Sequence, residues 1–265
     1  MRCTLLFSTV LCGVGLVVAP SDAANLLTNP GFEAGPGALF PGGVNILVST
    51  NGSPSYTSGY TMGVWGAEDA SAIGTSSLAS VPPPGSQVIN PNSGKFMMNM
   101  IGAGTGSYTQ AWQLVDVTPY QTPINGGGVT ADLSAFFNAP KFVTATGAFD
   151  QPIAGITLQF YDSSYLAANQ QLNVPGVPTA GANSQAIPPL TWTQIGISNV
   201  AVPPGTSYIL AQVLFNNASL TDPNNTDYDG YVDDASLTLN NVPEPASFAA
   251  LSGIGLALLS RRRYE

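Results

Sequence analysis

The side chains able to do chemistry in this chain are few and of few kinds. Its 265 residues include no histidine, which removes the commonest general base and the commonest nitrogen ligand for metals. Ser-His-Asp and Cys-His nucleophiles and histidine zinc sites are thereby excluded. What remains is oxygen. Glu33, the pair Asp233-Asp234, the dipeptide Glu68-Asp69 and the run from Asp222 to Gly230 carry carboxylates, the hard ligands calcium takes and the acid and base of glycoside cleavage. Adjacent residues of an extended strand face opposite ways, so Glu68 and Asp69 do not form a catalytic pair, and the chain reads as a non-enzyme with a glycoside hydrolase as the weaker alternative. In the Asp222–Gly230 run the glycine directly follows the third aspartate and no glutamate stands at the required offset. It departs from the twelve-residue calcium loop and reads as an Asx-rich turn. Tyr56, Tyr60 and Trp65 share a polar, glycine-rich stretch, which reads as a loop whose rings are free to stack on a sugar. Trp112 and Trp192 lie in strand-like runs and are expected in the core.

Composition bounds the elements that must position these groups. The chain has 15 Asp+Glu against 6 Lys+Arg, a net charge of −9, only 8% charged residues, and 29 Gly with 22 Pro. An average domain is about one-quarter charged, so this is neither an acidic disordered tail nor a helical bundle. Short strands joined by turns fit. Nucleic acid is a poor partner, because its affinity rests on Lys and Arg neutralising phosphates.

The two ends read separately. Met1-Arg2, an apolar run from Leu5 to Ala19 and small residues at Ser21 and Ala23 describe a signal peptide over residues 1–23. A buried first helix is the alternative, and nothing caps one. Cys3 and Cys12 both fall inside it, so the exported chain has no disulfide, thiolate or thiol nucleophile. At the other end, Pro243-Glu244-Pro245 precedes an apolar run from Ala246 to Ser260 and then Arg261-Arg262-Arg263. That run is shorter than the roughly 20 residues of an unaided membrane span, and the arginines would stay cytoplasmic. A C-terminal core helix is the alternative, weakened by Gly253 and Gly255. The motif, short helix and basic cluster together resemble the PEP-CTERM sorting tail of exported Gram-negative proteins. That resemblance implies processing by a membrane exosortase near Pro-Glu-Pro and delivery to the cell surface, biofilm or exopolysaccharide matrix.

Between the ends, residues 24–242 keep Lys95 and Lys141 against twelve acids, a charge of −10. Runs such as Lys95–Ile101, Ala111–Val117, Val129–Phe137, Gly155–Tyr161, Trp192–Ile197, Ser207–Phe215 and Tyr231–Leu239 are strand-like, several of them alternating apolar and polar. The stretches Ser80–Gly94 and Asn173–Pro189 read as loops, and no long helical period occurs between the termini. The opening Asn25-Leu26-Leu27-Thr28-Asn29-Pro30-Gly31-Phe32-Glu33 and the closing Tyr231-Val232-Asp233-Asp234-Ala235-Ser236-Leu237 resemble the first and last strands of jelly-roll carbohydrate-binding modules and galactose-binding-like sandwiches. The resemblance implies that the two strands lie together, so that Glu33, Asp233 and Asp234 converge on a structural calcium. Hydrogen bonds from these acids to loop backbone, without a metal, are the alternative. By alternation Asp233 shares a side with Ala235, Leu237 and Leu239.

The expectation is therefore an all-β chain: a jelly-roll β-sandwich over residues 24–242, an N-terminal signal helix, and a sorting tail over 243–265 with a short transmembrane helix. Its expected role is a non-catalytic, carbohydrate- or exopolysaccharide-associated surface protein. A purely structural or adhesive matrix protein is the alternative.

Overall fold

The computed structural model describes residues 24–34, 48–49, 54–55, 63–67, 70–73, 76–78, 87–103, 108–143, 149–150, 152–163, 179–216 and 227–242. The signal peptide, the sorting tail, Tyr56, Tyr60, Glu68, Asp69 and Asp222 lie outside them. Among the described residues no helix is long and apolar enough to cross a membrane.

Among the described residues ten strands build the two large sheets, beside three two-stranded ribbons: β1 (Trp65–Ala67), β2 (Ala70–Ile73), β3 (Met97–Ala103), β4 (Tyr108–Asp116), β5 (Thr130–Asn138), β6 (Ile153–Tyr161), β7 (Thr179–Ala186), β8 (Thr193–Ala201), β9 (Tyr208–Asn216) and β10 (Asp227–Asn240). They form two five-stranded sheets. Sheet I has the order β7-β6-β9-β4-β1, sheet II the order β8-β5-β10-β3-β2, and every pairing is antiparallel. The chain passes between sheets at most connections, and strands β3 to β10 interleave as 4-9-6-7 over 3-10-5-8. That order is the double Greek key of a jelly roll.

Alternation does the packing. Ala154, Ile156, Leu158 and Phe160 of β6 and Ile209, Ala211, Val213 and Phe215 of β9 meet Leu133, Ala135 and Phe137 of β5 and Val232, Ala235 and Leu237 of β10 in one core. Phe137 and Phe215 interlock the sheets edge to face, with ring centroids 5.5 Å apart. The opening segment closes on the last strand: the Leu26 N–H donates to Leu237 O at 2.8 Å and the Ala235 N–H to Pro30 O at 2.9 Å. Leu27 and Phe32 are thereby buried.

Three readings are corrected. Thr179–Ala186, expected as loop, is β7, because pairing with β6 supplies hydrogen bonds that its residues, mostly small and β-branched only at Thr179, would not secure alone. Asp227–Gly230, expected as turn, extends β10 along β3. A short α-helix, α1 (Gln121–Gly126), stands between β4 and β5, where no helical period is readable in so few residues.

Candidate functional site

Glu33, Asp233 and Asp234 do come together, around Gly31, whose ideal Cβ position is 3.3 Å from Asp234 Oδ1 and 3.8 Å from both Asp233 Oδ1 and Glu33 Cγ. Their partners are donors. The N–H groups of Asn92 and Ser93 donate to Asp233 Oδ2 at 2.8 and 3.1 Å, and the Asp234 N–H to Asp233 Oδ1 at 2.8 Å. Asn92 Nδ2 and Ser93 Oγ donate to the two oxygens of Asp234, each at 2.7 Å. The Lys95 N–H reaches both oxygens of Glu33, at 2.9 and 3.0 Å, and the Phe96 N–H donates to Oε1 at 3.0 Å. Three carboxylates thus clasp the segment Asn92–Phe96. Gly94 makes the close approach feasible: its φ is +62°, and a Cβ there would lie 2.1 Å from Glu33 Oε1.

Asp233 is fully buried, but not on the side expected. The β10 register shifts between Asp233 and Ser236 and Asp234 has φ +47°, a bulge that turns Asp233 away from Val232 and Ala235 onto the outer face of sheet II. Burial pushes its carboxyl up to about 6, the like charge of Asp234 adds to this, and the N–H groups of Ser93, Asp234 and Asn92 oppose it.

The expected calcium does not fit this donor set. All six carboxylate oxygens accept a hydrogen bond, two of them accept two, and among the described residues no group of three acids is spaced to hold a metal. Calcium needs six to eight oxygens facing it, and donors aimed at those oxygens occupy that role here. A resident ion at a hundred times its Kd would add about 2.7 kcal/mol, roughly 5 °C or more in Tm. The expected result is an unchanged melt on adding a chelator; a drop of that size, reversed by calcium, would reinstate the metal.

The tryptophans are also redistributed. Trp65, expected on an open loop, is 2% exposed. It lies in β1 with its Nε1–H on Asn29 O and its ring 5.3 Å from that of Phe32, so its faces are closed to a sugar. Trp112 is 1% exposed. Trp192, expected in the core, is only half-buried. It precedes β8 and packs on the separate cluster of Ile89, Met97 and Tyr231 outside sheet II, with its Nε1–H donating to Asn90 O at 3.0 Å.

A feature without a sequence signal lies on the outer face of sheet I. Thr157 Oγ1 donates to Gln212 Oε1 at 2.5 Å and Gln212 Nε2 donates to Gln110 Oε1, a hydroxyl-amide ladder across β6, β9 and β4. Beside it is a hollow of about 260 Å³ lined by Ile153, Thr157, Ala182, Ser184 and Leu214, with no charged residue in its wall. Gly155 stands between Ser184 and Leu214, each about 3 Å from where its Cβ would be, so its bare backbone keeps the hollow open. Amides present a donor and an acceptor side by side, which matches neighbouring hydroxyls, while Ile153 and Leu214 offer an apolar wall.

No protein-family model matches this chain, and no curated protein matches it. Among solved structures it is distantly similar to TmCBM61 in complex with β-1,4-galactotriose, at 15% identity and TM-score 0.41, covering 81% of this chain and 98% of that one. It is likewise similar to the N-terminal CBM22-1–CBM22-2 tandem domain of Paenibacillus barcinonensis Xyn10C, at 16% identity and TM-score 0.42, covering 83% of this chain and 51% of that one. A third is the CBM22-2 xylan-binding domain of the same Xyn10C, at 16% identity and TM-score 0.38, covering 67% of this chain and 92% of that one. The jelly-roll topology of this chain stands on its own strand order.

Proposed function

We propose that this chain is an exported, non-catalytic carbohydrate-binding β-sandwich, sorted to the cell surface or extracellular matrix through its Pro243-Glu244-Pro245 and arginine tail with processing by an exosortase. The observation that carries the binding reading is the uncharged hollow beside the Thr157–Gln212–Gln110 ladder. Its chemistry suits a neutral polyhydroxylated ligand, since hydroxyls exchange donors and acceptors with amides while ring C–H faces meet Leu214 and Ile153. With no histidine in the chain and no cysteine after Cys12, Ser-His-Asp and Cys-His hydrolysis have no machinery.

The test is retardation of the protein in native gels that contain soluble neutral polysaccharides. Thr157→Val and Gln212→Ala change half-buried side chains, so folding survives. Each is expected to weaken retention about tenfold, the equivalent of about 1.4 kcal/mol. Retention unaffected by both variants sinks the hollow as the site. Lack of retention by any polysaccharide, with matrix association kept, favours the structural role.

A further inference from the structure

Four strands end the two sheets, and three of those edges are protected against further pairing. β1 and β2 have three and four residues, too short to template another strand. β8 carries a bulge between Ile197 and Val200, where Asn199 has φ +57°, and Asn183 Nδ2 donates to its Gly196 O at 2.9 Å. The fourth edge, β7, has eight residues with no charge and no proline. Its one irregularity lies at its start, opposite Leu158 and Gln159, and Gly181–Ala186 then pairs in unbroken register with Ile153–Leu158. Ala182, Asn183, Ser184, Gln185 and Ala186 are all exposed, and among the described residues no strand takes the other side of β7. An antiparallel strand turns its N–H and C=O groups alternately to either side, so this edge presents a row of them with no strand opposite.

We infer that β7 pairs antiparallel with β7 of a second copy about a twofold axis, joining two five-stranded sheets into one of ten strands. Charge selects that occupant. The chain carries −9 overall, but no Asp, Glu, Lys or Arg occurs between Asp162 and Asp222, a stretch that holds β7, β8 and β9. Copies meeting at this edge bring no like charges together from β7, and a charged foreign partner finds nothing on the strand to steer it. Alanine, glycine and serine also let two backbones approach, and serine hydroxyls pair across strands. With one open edge per copy, the assembly closes at two. Ala182 and Ser184 line the hollow on sheet I, so the twofold sets two hollows side by side on one face. Their use as one groove rests on the function proposed above; the pairing does not.

Sedimentation of the full chain, without sugar, tests the pairing, so failure of the hollow leaves this readout untouched. One pair of strands buries less than the roughly 1,600 Å² of a standard interface, and the expected dimer has a Kd of about 10 μM. Between about 1 and 100 μM the mean mass should rise from near one chain toward two, and exchange of the β7 amides should slow about fivefold as the edge is covered. Ser184 stands mid-run, so any near-centred twofold register sets it opposite or diagonal to its own copy. Like charges there oppose pairing. Ser184→Lys and Ser184→Glu, at an exposed position, should each weaken the dimer about tenfold, and an equimolar mixture of the two should recover it because opposite charges then meet.

A chain that stays monomeric at 100 μM, with β7 exchange unchanged, overturns the inference. So does a dimer that neither substitution weakens, since it forms through another surface. A mixture that fails to recover what each variant lost overturns it as well, because β7 then does not face its own copy.

Discussion

Asp233→Ala unfolds at a temperature roughly 10 °C below the wild type, the largest loss expected from a single substitution in this domain. The side chain is fully buried and accepts from the N–H groups of Asn92, Ser93 and Asp234, and alanine leaves all three without their acceptor. A buried donor left without its acceptor costs about 1–3 kcal/mol, and for a domain of this size each kcal/mol moves Tm by about 2–4 °C. The same residue gives stability a pH dependence of unusual sign. Its carboxyl titrates at about 6 when folded, against an ordinary 3.8, so between those values the folded state holds a proton that the unfolded chain has released. Stability contributed by this group is full below the ordinary value and falls as pH rises through about 6, a change of about 3 kcal/mol. Urea unfolding of wild type and Asp233→Asn at pH 4.5 and 7 reads it, because the variant cancels the other carboxylates. The wild-type advantage should be larger in acid; an advantage that is constant or grows toward neutrality contradicts the account.

The second large effect is at Gly230 of β10. A Cβ there would lie 2.5–2.7 Å from the ring atoms of Phe215, and that ring is 1% exposed and packed edge to face on Phe137. It has nowhere to retreat. Gly230→Ala should cost about 3 kcal/mol, the upper part of the range for overpacking. Phe215→Leu alone should cost about 1.5 kcal/mol, and the double variant should be little worse than Phe215→Leu, a coupling of about 2 kcal/mol between contacting residues. Simple addition of the two losses in chemical denaturation would show that the glycine is not required by the ring.

The fold was legible because its signals are local. Alternation of Ile156, Leu158 and Phe160 against Thr157 and Gln159 identifies a half-buried strand wherever its partners lie. The strand β7 was not legible, since Thr179–Ala186 offers small residues whose order comes from a neighbour. Gathering of Glu33, Asp233 and Asp234 followed from likeness of the two end segments to jelly-roll strands. What they bind did not follow: the donors come from Asn92, Ser93, Lys95 and Phe96, more than fifty residues away from either end segment.

By itself the sequence determined that this is an all-β, acidic chain without histidine and with cysteine only near its start, because composition and period-two alternation need no knowledge of partners. Tertiary structure decided which aromatic residue meets solvent. Trp65 sits in a polar, glycine-rich stretch and is closed off by Phe32, whereas Trp192 leads into a strand and keeps part of its ring in solvent. It also decided the face of Asp233, since one bulge in β10 reverses the side that alternation assigns. Exposure and facing depend on what the rest of the chain lays over a residue, and that is a property of the packed sheets, not of neighbours in sequence.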